Sequence, residues 1–78
     1  MQQQTVRHLN PKKLLLSKWT AATPYNKEKH FIVTELIQPE PPADQAEHVE
    51  LEAVYSRRRF ILPWNELTDV NQWLQGWL

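Results

Sequence analysis

Three histidines (His8, His30, His48) and two serines (Ser17, Ser56) are the groups with which this chain could build a base, a metal site or a nucleophile. A Ser–His pair would need a strained turn to present the hydroxyl. Glycine occurs once, at Gly76, so neither a nucleophile elbow nor a phosphate-cradling loop can be drawn. There is no cysteine, which excludes a disulfide, a thiolate nucleophile and a thiolate zinc site. His30, His48 and Glu50 would make a metal or small-ligand site only if the ends of two strands met, and no ligand spacing supports that. Glu50 and Glu52 alternate with apolar residues and read as solvated, not as sheltered acids. The expectation is a chain without catalysis or cofactor. A site at His30/His48 is a minor alternative.

Charge supplies the other chemistry. Nine basic and nine acidic residues cancel, but unevenly. Residues 1–34 carry Arg7, Lys12, Lys13, Lys18, Lys27 and Lys29 against Glu28, whereas residues 35–56 carry six acids and no Lys or Arg. Arg57, Arg58 and Arg59 then stand in a row. With Lys12, Lys13 and Lys18 they form the candidate interaction surface. Together with exposed rings at Trp19, Tyr25 or Trp77, such cations could line a groove for single-stranded nucleic acid. The zero net charge weighs against it, because affinity for phosphates is mainly electrostatic. Cross-strand pairing with Glu35, Glu50 or Glu52 is the plainer use for the arginines.

These residues need a scaffold, and 78 residues allow one domain. A domain of this size has a thin stability margin. Trp19, Trp64, Trp73 and Trp77 fall at or near the ends of the structured segments, and large rings give the most buried area per residue. Residues 1–11 read as a disordered lead, ending at the turn signal Asn10-Pro11. Residues 12–78 form the single domain. Leu14 to Ala22 reads as a strand, Thr23 to Lys29 as a polar turn region, and Phe31 to Ile37 as the clearest strand. Three prolines make residues 38–47 an exposed loop.

Val49, Leu51, Ala53 and Tyr55 alternate with polar residues, as do Phe60, Leu62 and Trp64. A hairpin turning at Ser56 to Arg59 would set Tyr55 against Phe60, Ala53 against Leu62, and Leu51 against Trp64. Pro63 marks a strand end or an edge position. Asp69 with Gln72 resembles a capping box. Trp73, Leu74 and Trp77 lie at helical spacing, and Gly76 is a stop. The expected fold is α+β: a four-stranded, curled antiparallel meander, partly barrel-like, with one short C-terminal helix docked by Trp73 and Trp77.

The order of segments resembles a small tryptophan-rich bacterial family of unknown function. The residues that carry the likeness are Asn10 to Leu15 and Ser17 to Ala21, Lys27 to Phe31 with Val33-Thr34, and Glu52 to Val54 with Ser56, Arg57 and Arg58. Trp64, Glu66-Leu67 and Trp73 to Trp77 complete it. The likeness spans residues 10–77 and implies no activity, ligand or catalytic residue. The N-terminal residues form no apolar run, and no stretch approaches a membrane span, so the cytoplasm is the expected location. The working expectation is a small non-catalytic protein-interaction module, an unknown protein partner being favoured over nucleic acid. An edge strand near Pro63, or the first strand, is where a partner would add.

Overall fold

The computed structural model describes residues 7–39 and 46–78. It contains five strands: β1 (Lys18–Tyr25), β2 (Glu28–Ile37), β3 (His48–Ala53), β4 (Arg59–Pro63) and β5 (Trp73–Gln75). Short 3-10 turns lie at Pro11–Lys13 and Trp64–Thr68. The strands form one antiparallel sheet in the order β4-β3-β2-β1-β5. No described helix is long and apolar enough to cross a membrane.

Alternation builds the core. Three cross-strand rows lie on one face: Trp19–Phe31–Ala53, Val33–Leu51–Phe60 and Leu36–Val49–Leu62. Their neighbours in each strand point to the other face, because side chains alternate across a pleated strand. Leu14 and the 3-10 residue Leu67 close over these rows, with Leu9 and Trp64 packed at the margin. Trp73 meets Phe31 edge-on, their centroids 5.1 Å apart. The molecule measures 40 × 38 × 15 Å, a slab one covering layer thick.

Several expectations are corrected. The sheet has five strands, and its borders β4 and β5 lie at opposite ends instead of closing into a barrel. The expected C-terminal helix is absent. Asp69 caps a single turn instead: its Oδ1 accepts from the Asn71 amide, and its carbonyl accepts from the Gln72 and Trp73 amides. A helix this short cannot support itself in water. The free side of β1 offers main-chain partners at Lys18 to Ala22, and residues 72–76 take them, with Trp73–Gln75 as β5. Gly76, at φ +82°, then turns the chain, so Trp73 and Trp77 serve opposite faces.

β1 begins at Lys18, later than expected, because Leu14 ends the first 3-10 turn and Leu16 adopts φ +66°. It also runs on to Tyr25, with its pairing to β2 interrupted between Thr20 and Tyr25, where Pro24 sits. The polar turn region shrinks to Asn26-Lys27, both with positive φ, a type I′ hairpin. Lysine is costly at the second position, where glycine is preferred. Lys27→Gly is expected to stabilise the fold by up to about 1 kcal/mol, measured by urea denaturation.

The β3–β4 hairpin keeps the expected faces but not the expected register. Leu51 pairs Phe60 and Val49 pairs Leu62. The four-residue loop is 54–57, closed by the Arg57 amide on the Ala53 carbonyl at 2.8 Å. Tyr55 therefore lies exposed in the turn. Charge decides the register. The expected alignment would set Glu52 against Pro63, whereas the observed one sets it against Arg59. The even shift leaves every apolar residue on its proper side. Of the lead, Arg7 bonds to the Leu67 and Trp73 carbonyls and Pro11 opens the first 3-10 turn, while residues 1–6 lie outside the described residues. Most of the proline-rich loop, residues 40–45, also lies outside them.

Candidate functional site

The three arginines are brought together with three carboxylates. Arg58 grips Glu28 with two N–H groups, Nη2 to Oε1 at 2.8 Å and Nε to Oε2 at 3.0 Å. Ser56 Oγ donates to the same carboxylate. Arg59 Nε donates to Glu52 Oε1 at 2.7 Å, and Arg57 Nη1 to Glu52 Oε2 at 3.1 Å. Arg59 Nη1 also lies 3.9 Å from Glu50. The carboxylates of Glu28 and Glu52 are buried beneath guanidinium groups that stay largely exposed. Arg58, and then Ser56, hold the Glu28 carboxyl down at about 2 from its ordinary 4.5. Glu52 is held below its ordinary value chiefly by Arg59, then Arg57.

The six expected cations do not form one surface. Lys12 and Lys13 lie exposed on the first 3-10 turn, beside Leu14 in the layer that covers the core face. Lys18 lies on the opposite face, in the row Lys18–Ile32–Glu52–Arg59. Three strand spacings of about 4.8 Å put it about 14 Å from the Arg59 backbone. Its Nζ sits 4.8 Å over the Trp77 ring.

Register separates His30 from His48, the two residues of the minor ligand-site alternative. His30 pairs with Thr20, whereas His48 pairs with Ile37 at the far end of β2, about 23 Å along the strand. His30 instead packs against Trp77 at 5.8 Å, its Nε2 being 2.9 Å from the Leu78 main-chain oxygen. Trp77 Nε1 donates to the Phe31 carbonyl at 2.9 Å. This Lys18–Trp77–His30 cluster escaped sequence reasoning, because a helical spacing hid the separation of Trp73 from Trp77. Trp19 is fully buried and offers no stacking surface.

The sheet borders differ. On the β5 side, Arg7 occupies the border. Its Nη2 donates to the Trp73 carbonyl at 2.6 Å, its Nη1 to the Leu67 carbonyl at 2.7 Å, and its amide to the Thr68 carbonyl. On the β4 side, Ala53 bonds Arg58 and Glu47 bonds Trp64. Antiparallel alternation between those bonds turns the amides and carbonyls of Arg59 and Ile61 outward. Pro63 falls on the same outward set, where its missing N–H costs no ladder bond. The Ile61 side chain is 58% exposed. β1, the other expected edge, is interior, flanked by β2 and β5.

The family profile described as Tryptophan-rich protein (DUF2389) matches residues 17–78, the entire sheet included. The chain belongs to this family. The expected likeness is thereby upheld over all five strands, with residues 10–16 outside the match. No curated protein and no solved structure matches the chain. In this member of the family, the tryptophans divide between tasks. Trp19 and Trp73 build the core, Trp64 packs at its margin, and Trp77 lies half-exposed on the uncovered face.

Proposed function

We propose that the protein is a small cytoplasmic, non-catalytic protein-interaction module whose contact surface is the uncovered sheet face and its β4 border. The observation that carries this reading is Ile61, a large apolar side chain left exposed on a border strand whose main-chain groups point outward. Border strands of this kind are commonly covered, shortened or charged. Trp77, against Lys18 and His30, adds half-exposed apolar surface on the same face as Ile61. A photo-crosslinking residue at Ile61 is expected to give discrete protein adducts in cells, while one at Tyr25, on the far hairpin, is not. Absence of adducts from Ile61, Tyr55 and Trp77 alike would end the proposal.

A second reading rests on the Lys18–Trp77–His30 cluster, which offers a cation beside a ring on which a base could stack. The zero net charge argues against it, because affinity for phosphates is mainly electrostatic. Labelled single-stranded RNA at low salt tests it directly. Salt-sensitive binding lost in Trp77→Ala supports the nucleic-acid reading, and no binding removes it.

A further inference from the structure

The geometry points to strand addition at β4: the border between Arg59 and Pro63 takes an extended, acidic peptide segment from another protein. This rests on the interaction-module reading and names the class of partner. Four main-chain groups face outward, the N–H and C=O of Arg59 and of Ile61, in the spacing of an antiparallel ladder. They fix the pattern of the guest. A residue opposite Ile61 exchanges both bonds with it and lays its side chain beside an exposed isoleucine, so it is apolar. The residue two places on exchanges both bonds with Arg59 and shares its face.

The Arg59 side chain is 61% exposed, with Nε on Glu52 and Nη1 3.9 Å from Glu50, so Nη2 has no bonded partner among the described residues. Arg57, 79% exposed, flanks it. A carboxylate at that guest position meets both cations. Pro63 has no N–H, which limits the ladder to the Arg59 and Ile61 pairs.

Two observations select this occupant. The opposite border is not equivalent, because the Trp73 carbonyl is already taken by Arg7. A second copy is disfavoured by charge. The β4 residues Arg59, Phe60, Ile61, Leu62 and Pro63 include no acid, so a second copy's β4 supplies no carboxylate for the remaining N–H groups of Arg59.

The test uses the full chain and a fluorescein-labelled peptide alternating threonine and valine, with glutamate placed to oppose Arg59, followed by fluorescence anisotropy. Saturable binding is expected. It should weaken about tenfold in Ile61→Lys, which puts a charge on the border. It should weaken about as much when the outward-bonding amides of the peptide are N-methylated. Exchange of the peptide's glutamate for lysine should weaken it further. Both chain and variant are checked for native far-UV and near-UV dichroism, and Ile61 is exposed, so folding is preserved. Equal binding by Ile61→Lys, or by the N-methylated peptide, overturns strand addition. So does a dimer in sedimentation that dissociates in Ile61→Lys and is not displaced by peptide, since the border then belongs to a second copy. Protein adducts at Ile61 in cells, without peptide binding, would sink this inference while leaving the interaction module standing.

Discussion

Trp19→Ala is expected to remove about half of the stability of the domain. Trp19 is 1% exposed and fills the row it shares with Phe31 and Ala53. Its Nε1 donates to Ser17 Oγ at 2.8 Å, and Arg7 lies 5.4 Å from its ring. Truncating a fully buried tryptophan costs about 3–5 kcal/mol. A chain of this length holds about 4–12 kcal/mol in total, at about 0.05–0.15 kcal/mol per residue. Urea denaturation followed by far-UV dichroism should therefore show the midpoint lowered by about half. Trp77→Ala supplies the contrast. That ring is half-exposed and contributes one hydrogen bond and one cation contact, a loss of about 1–2 kcal/mol. If Trp19→Ala unfolds at the wild-type midpoint, or Trp77→Ala is the more damaging change, the assignment of the core is wrong.

The second large effect is one of acid. Glu28 has its carboxyl lowered from 4.5 to about 2 by Arg58 and Ser56. A group whose folded value lies below its unfolded value stabilises the fold above the unfolded value, and that stability is lost as pH falls through the folded one. Glu28→Gln is therefore expected to melt several degrees below wild type at neutral pH. The gap should narrow once pH drops beneath 4.5 and close near 2. Both proteins keep a residual decline in that window, because Glu52 is lowered in the same sense by Arg59 and Arg57. Arg58→Ala should reproduce the neutral-pH loss, since it leaves a buried carboxylate with Ser56 alone. A gap of constant size from neutral to acid pH would show that the ion pair does not form.

The apolar rows were legible in the sequence because period-two alternation is dense from Phe31 to Leu62, and parity survives an even error in register. Pro63 announced a border by chemistry alone. The register itself was hidden, because it depends on which acid meets which arginine. Turn preferences at Ser56 to Arg59 were too weak to oppose Glu52 and Glu28. The C-terminal segment misled for a related reason. Trp73 and Trp77 are one helical turn apart, but an unfilled side of β1 outbids a short helix, and nothing local reports that vacancy. The same ignorance hid Arg7, whose partners lie 60 and 66 positions along the chain. Of the candidate site, the arginine trio was visible as a run of cations and its neutralisation was foreseen as a class, without Glu28 among the partners.

The strand order has a kinetic meaning. Between β4 and β5 the chain must travel from one border of the sheet to the other, and the Trp64–Thr68 turn carries it across the core face. β5 contributes three residues, and its site does not exist until β1 is already seated. Late, non-local pairing of so short a segment makes it the last piece to lock and the first to come free. Transient openings would thus begin where Trp73 leaves Phe31, uncovering the core at the end of the sheet remote from Ile61.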